Sequence, residues 1–200
     1  MINTIIFDFG DIFINLDKQA AENAFKKLDV IEWNTDLREL NIQFETGKIS
    51  REKFLSGIQR NIPNATIEEI LAAWNSVLLD FPLYRLEFLQ LLSTKYRLFL
   101  LSNTDAIHID NFEQKNGISF YSDFYQCFEK VYFSFEIGLR KPDLEIFKHL
   151  ISNHKLDPKR TLFVDDKKEN TDAALTLGFK VWNLQVGKED VIELLEKNTL

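Results

Sequence analysis

The chain opens on an apolar run, Ile2 to Phe7, broken only by two small polar residues near its start. Short, continuous and β-branched, it reads as a strand buried in a sheet. It ends in Asp8, with Gly10 two positions on. A buried strand that stops at a carboxylate and breaks into a loop presents that carboxylate at the carboxyl edge of a sheet, where open α/β sheets place their chemistry. From this stretch alone, an aspartate that merely starts a turn is an equal reading. Ile12-Phe13-Ile14 continues as a candidate extended flap.

From Asp17 to Asp80 the apolar positions recur at three- and four-residue spacing instead. Ala20, Ala21, Ala24, Phe25 and Leu28 share one face. Leu37, Leu40, Ile42 and Phe44 follow a cap expected at Thr35 or Asp36. Gly47 breaks the run, and Ser50 caps a helix carrying Phe54, Leu55 and Ile58. Thr66 with Glu69 forms a capping-box pattern ahead of Ile70, Leu71, Trp74 and Val77. This is a four-helix insertion without strand signal.

Strands and helices then alternate. Pro82 suits a first helical position, followed by Leu86, Phe88, Leu89, Leu91 and Leu92 as the apolar side. Arg97–Leu101 reads as a second strand ending in Ser102-Asn103-Thr104, with a helix over 105–115 that stops at Gly117. Lys130–Phe135 reads as a third strand, with Lys141-Pro142 and a helix beyond it. Arg160–Val164 is a fourth strand ending in Asp165-Asp166, with a helix that ends at Gly178. Lys180–Leu184 is a fifth, and 188–197 a last amphipathic helix. Strands separated by helices predict an α/β fold: a Rossmann-like, doubly wound, parallel five-stranded sheet with an inserted four-helix cap. The core is expected over residues 1–16 and 81–200 and the cap over 17–80. The cap then lies over the end of the first strand, beside Asp8, as a lid hinged at 14–17 and 80–83.

Composition narrows the partners more than the fold. With 45% hydrophobic residues among 200, and few Gly and Pro, the chain can bury a substantial core. A net charge of −7 with no basic cluster argues against nucleic-acid or anionic-membrane binding. No apolar run approaches the ~20 residues of a membrane span. Asp8 interrupts what would be a signal-peptide core. The lone Cys127 reads as a half-buried packing residue and fits a reducing compartment. A cytoplasmic monomer is expected.

The polar residues collect at strand ends: Asp8, Ser102-Asn103, Asp165-Asp166, and Lys141 just past the third strand. In a parallel sheet these ends share one edge. Three carboxylates there repel unless a cation lies between them, and an all-oxygen set suits Mg²⁺, which also takes phosphate oxygens. A hydroxyl, an amide and a lysine supply donors and positive charge for a phosphoryl group. A central aspartate can act as nucleophile and form an aspartyl-phosphate.

Phe7-Asp8-Phe9-Gly10, Leu101-Ser102-Asn103-Thr104, Arg140-Lys141-Pro142-Asp143, and Phe163-Val164-Asp165-Asp166 with Asn170 resemble the four ordered motifs of the haloacid dehalogenase-like hydrolase superfamily. The resemblance spans the whole chain and includes the position of the helical cap. Within the superfamily the motifs are similar to the α-D-glucose-1-phosphate phosphatase-like group and the phosphatase domain of soluble epoxide hydrolases. It implies that Asp8 is nucleophile and metal ligand, and that Gly10 ligates through its carbonyl. Ser102 and Asn103 would hold the phosphoryl oxygens and Lys141 would neutralise charge. Asp166 would bind metal, with Asp165 a second ligand or an outer partner, and Asn170 would support that loop. The activity implied is Mg²⁺-dependent hydrolysis of a small phosphorylated metabolite.

One departure stands out. Where most phosphatases of the superfamily carry a second aspartate as general acid–base, this chain has Gly10. General acid–base assistance is worth ~10²–10⁴ in rate. Asp11 swinging in, a metal-bound water, or a substrate with a good leaving oxygen such as an anomeric sugar phosphate are the candidate replacements. As a loop cap, Asp11 would not serve. A 2-haloacid dehalogenase and a non-catalytic phosphometabolite-binding protein are the alternative readings. Within the cap, Phe44–Ser50 is the candidate substrate-selecting stretch, with Glu45 and Lys48 as binding residues; a plain surface turn reads equally well. Trp33 and Trp74 are expected in the cap core, and His108, His149 and His154 as surface or packing residues away from the motifs.

Overall fold

The computed structural model describes residues 1–30 and 32–197. Residue 31 of the expected cap and residues 198–200 of the expected core lie outside them. Five strands, β1 (Thr4–Phe7), β2 (Arg97–Ser102), β3 (Lys130–Phe133), β4 (Thr161–Asp165) and β5 (Lys180–Asn183), form one parallel sheet in the order β3-β2-β1-β4-β5. Phe7 lies level with Leu100 on one side and Val164 on the other. The chain winds outward from β1 to β3, then returns to place β4 against the other side of β1. This reversal opens a crevice outside the strand ends, where doubly wound sheets bind their ligands.

Side chains alternate across a strand, so each strand feeds two cores. Ile5, Phe7, Leu98, Leu100, Leu162 and Val164 join a phenylalanine-rich layer with Phe9, Phe13, Phe112 and Phe124. Ile6, Phe99, Leu101 and Phe163 face Ile146, Phe147 and Leu150. Phe7 and Phe9 both sink into the first layer, with Phe9 edge-on to Phe112 at 5.0 Å. Asp8, between them, is therefore turned to the other side, toward the end of β4.

Helices α1 (Lys18–Lys27), α2 (Thr35–Glu45), α3 (Arg51–Gln59) and α4 (Ile67–Asn75) follow β1. They share a third core of Phe25, Phe44, Phe54, Ile70 and Trp74, which takes in one residue from beyond them, Ile107. The two chain crossings into these helices pair with each other. Leu79 N donates to Asn15 O at 3.0 Å, Asn15 N to Asp80 O at 2.9 Å and Asp17 N to Val77 O at 2.8 Å. The expected hinge segments are thus one short antiparallel ribbon.

After the ribbon come α5 (Leu83–Ser93), α6 (Ala106–Asn116), α7 (Ile118–Gln126), a single-turn α8 (Ser134–Ile137), α9 (Leu144–His154) and α10 (Lys168–Thr176). Several boundaries differ from the sequence pattern. The α2 cap is Asn34, whose side chain accepts from Leu37 N, and Ile42 faces outward. Leu91, expected on the apolar side of α5, is exposed. Strand β3 stops at Phe133 because Ser134 turns the chain to exchange two hydrogen bonds with the Thr104 backbone. Helix α7 was not expected: its aromatic run carries weak helix propensity, and packing of Phe124 onto Phe9 and Phe13 decides it. The amphipathic segment near the end is a 3₁₀ stretch, Val191–Glu196. No helix among the described residues is long and apolar enough to cross a membrane.

Candidate active site

Asp8 follows the last paired residue of β1, and its N–H still donates to Val164 O at 2.9 Å. Its carboxylate is thereby fixed against the end of β4. Lys141 reaches it from the loop after β3 and α8. Its Nζ lies 2.7 Å from Asp8 Oδ1 and 2.7 Å from Asp165 Oδ2. The lysine is 1% exposed.

Burial pushes the Asp8 carboxyl up to about 6, with Asp165 and Asp166 adding to the rise and Lys141 opposing it. For Lys141, burial works against the ammonium, but the Asp165 and Asp8 charges prevail and hold it above the ordinary lysine range. The ammonium is therefore a permanent cation beside Asp8.

Asp165 is differently occupied. Its Oδ1 accepts from Lys167 N and Asn170 Nδ2, and its Oδ2 from Lys141 Nζ and Asn170 Nδ2. Three donors thus meet a carboxylate that has about four lone-pair sites, on a side chain with no exposure. Carboxylate oxygens of Asp8, Asp165 and Asp166 do lie within 4.8 Å of one another. Asp165 is thereby tied to Lys141, Lys167 and Asn170 as well as standing beside the other two carboxylates. Asp166 lines the cavity with Asp8, and burial and the neighbouring Asp165 raise its pKa. Two carboxylates with a free oxygen each, beside the Gly10 backbone, match the donor set of Mg²⁺, which is usually held by one or two protein carboxylates plus waters and phosphate.

Ser102 and Asn103 end β2 on the opposite rim, and both line the cavity. Ser102 is 3% exposed. Asn103 is committed elsewhere: Nδ2 donates to Lys141 O at 2.7 Å and Oδ1 accepts from Lys141 N at 2.9 Å. One amide hydrogen at most remains for a phosphoryl oxygen. The side chain expected to grip phosphate thus also holds the Lys141 backbone.

Asp11 is engaged within its own loop. Its backbone is left-handed at φ 59°. Its Oδ1 accepts from Leu16 N at 3.1 Å and its Oδ2 from Lys18 Nζ at 3.1 Å. The residue is a loop cap. At Gly10 itself, a Cβ would stand 2.8 Å from Leu16 Cδ1, the movable end of a side chain.

The four-helix layer contributes unequally. Glu45 lines the cavity with Asp8, while Lys48 lies outside it, exposed. Glu45 is carried by a turn seated hard on the core. Gly47 has φ 65°, and a Cβ there would come within 2.1 Å of Phe135 O. Glu45 then pairs with Arg140 at 3.2 Å.

His108 departs from expectation. It lines the same cavity, stacked on Trp74 with ring centroids 5.0 Å apart and an interplanar angle of 2°. Its Nδ1 lies 3.0 Å from Asp105 Oδ2 and its Nε2 3.1 Å from Trp74 O. Asp105 Oδ2 also accepts from Trp74 Nε1 at 3.1 Å. Sequence reading missed Asn41, Lys18, Asp105 and His108 as cavity residues. The one available signal was Asp105, three positions beyond Ser102 and ahead of a helix. The cavity encloses about 170 Å³, which favours a small substrate.

Comparison with known proteins follows the same lines. A family model described as haloacid dehalogenase-like hydrolase matches residues 5–184. The chain is 29% identical to a D-ribitol-5-phosphate phosphatase of Bacteroides thetaiotaomicron, over 94% of this chain and 95% of the relative. A crystal structure of a haloacid dehalogenase-family enzyme from that organism superposes with a TM-score of 0.88, at 35% identity, covering 98% of this chain and 99% of the other. The wild-type protein in complex with magnesium and inorganic phosphate superposes at 0.84, with 35% identity and coverage of 94% and 97%.

Proposed function

The chain belongs to the haloacid dehalogenase-like hydrolase family, and from that premise we propose that it is a Mg²⁺-dependent phosphatase of a small phosphorylated metabolite. The observation that carries the reading is the 2.7 Å contact of the buried Lys141 ammonium with the Asp8 carboxylate, at the mouth of a small cavity lined by Ser102 and Asp166. That arrangement offers a nucleophile, a fixed cation and a phosphate-sized recess in one place.

In this reading Asp8 is the nucleophile. Lys141 steadies Oδ1, which attacks phosphorus in line with the ester oxygen, and Oδ2 is left for the metal position. The new bond joins Asp8 to the phosphoryl group as the bond to the leaving oxygen breaks, and that oxygen leaves with a proton from water. A second water then attacks the phosphorus and frees Asp8 and inorganic phosphate. Ser102 Oγ and the remaining Asn103 N–H donate to the phosphoryl oxygens, and Lys141 neutralises charge that accumulates beside them. Asp8, the Gly10 carbonyl and Asp166 would hold Mg²⁺, which supplies Lewis-acid charge to the phosphoryl group when bound. Asp165 and Asn170 keep Lys141 and the β4 loop in place.

With glycine at position 10 and Asp11 tied to its loop, no side-chain acid serves the leaving oxygen, and water takes that part. We assign the substrate class as a polyol or sugar phosphate. The relative acting on D-ribitol 5-phosphate supports a primary ester, which makes the anomeric phosphate suggested by motif similarity unnecessary.

The test is release of phosphate from p-nitrophenyl phosphate with and without Mg²⁺. Mg²⁺-dependent turnover that disappears in Asp8→Asn is expected. No turnover in either condition would remove the phosphatase reading and leave a dehalogenase or a binding protein.

A further inference from the structure

The roof of the cavity comes from the four-helix layer, and two of its polar groups lack what they need. Asn41 and Glu45 lie one turn apart on α2, so they share a face, and both line the cavity that holds Asp8, Ser102 and Asp166. Asn41 Oδ1 is buried and has no hydrogen-bond partner. Buried polar atoms in native proteins are nearly always paired, because an unpaired one forfeits its hydration without return. Glu45 Oε2 takes Arg140 Nη2 at 3.2 Å, and among the described residues nothing bonds its Oε1. Two acceptors facing one cavity call for donors from whatever occupies it.

The surrounding charge says which donors. Arg140 already answers the Glu45 carboxylate, and burial raises its pKa. Both ring nitrogens of His108 face acceptors, the Asp105 carboxylate and the Trp74 carbonyl, an arrangement that favours the protonated ring paired with Asp105. The roof therefore offers hydrogen-bond acceptors in a setting close to neutral, which suits a hydroxyl better than an ammonium. A hydroxyl also satisfies the Asn41 carboxamide in either orientation of its amide. Leu16, Trp74, Val77 and Leu78 supply apolar wall beside these groups, a fit for the carbon skeleton between hydroxyls.

We propose that Asn41 and Glu45 form a hydroxyl-recognition subsite that selects phosphate esters with a polyhydroxylated chain. This rests on the phosphatase reading for its catalytic consequence but not for binding. The turn after α2 makes the subsite rigid: Gly47 seats it against Phe135 O, so Glu45 is held at a fixed height above Asp8.

The experiment compares wild type, Asn41→Leu and Glu45→Leu on ribitol 5-phosphate and on p-nitrophenyl phosphate, which has no hydroxyl on its leaving group. Losing a hydrogen bond to a buried acceptor is expected to lower the ratio of kcat/KM for the polyol ester over the aryl ester by about tenfold or more. Calorimetric binding of ribitol 5-phosphate to Asp8→Asn, with and without Asn41→Leu, reads the same selection without turnover, and the second substitution is expected to weaken binding by a similar factor. An unchanged ratio in both variants, or equal binding with and without Asn41→Leu, overturns the proposal. If wild type hydrolyses neither ester while Asn41-dependent binding persists, the subsite stands and the phosphatase reading falls.

Discussion

Asn103 and Lys141 exchange two hydrogen bonds: the carboxamide of one closes on the backbone N–H and carbonyl of the other, at 2.9 and 2.7 Å. The end of β2 thereby fixes the loop that carries the site's cation. Asn103→Ala should leave both backbone groups of Lys141 short of a partner and cost about 1–3 kcal/mol. A shifted ammonium should also lower kcat/KM, by tenfold to about 10²-fold. Urea denaturation and steady-state kinetics on one preparation check both effects. An Asn103→Ala protein with wild-type kinetics would remove the positioning role.

Lys141 is the counter-charge for two buried carboxylates. Lys141→Met keeps much of the volume but leaves Asp8 and Asp165 facing each other without a cation. Breaking a buried pair in this way costs about 3–5 kcal/mol. The expected result is a large drop in stability in EDTA, partly restored by Mg²⁺, with kcat reduced about 10²–10³-fold. Equal stability of variant and wild type in EDTA would show that the pair stabilises nothing.

Gly47 has two independent reasons to be glycine. Its φ of 65° is left-handed, which costs other residues about 1–2 kcal/mol, and a Cβ would meet Phe135 O at 2.1 Å. Gly47→Ala should therefore lose more than the backbone cost alone and loosen the turn that carries Glu45. Chemical denaturation gives the first effect, and faster limited proteolysis within residues 44–50 the second.

His108 should titrate above an ordinary histidine. Burial opposes its charge, but Asp105 and the Trp74 carbonyl outweigh that and raise its pKa. A folded pKa above the unfolded ~6.5 means the stabilisation is complete below that value and is lost as pH rises through the folded pKa. The groups facing the ring are Asp105, Glu45 and the α4 carbonyl end. His108→Phe keeps an aromatic ring against Trp74, so its deficit in Tm against wild type should be larger at pH 6 than at pH 9. Ring ¹⁵N shifts should show both nitrogens protonated at pH 6.5.

The sequence by itself determined the sheet, its five strands and the residues at their ends. Apolar runs of strand length separated by helical spacing leave few other ways to bury them. For the same reason Asp8, Ser102 and Asp166 were legible as a group, since each stands where a buried run stops and parallel strands stop on one side, and Lys141 follows in the loop beyond the third strand. The segment that became α7 was not legible, because its aromatic run packs as a helix only once Phe9 and Phe13 provide the surface. Nor did the sequence say that Asp165 is held by Lys141, Lys167 and Asn170, that Asn103 bonds the Lys141 backbone, or that Asp11 closes its own loop. Those are matters of which lone pair meets which donor, and neighbours far apart in sequence decide them. Glu45 and Lys48 are three residues apart in one turn, and only the seating of Gly47 on Phe135 puts the first into the cavity and leaves the second in solvent.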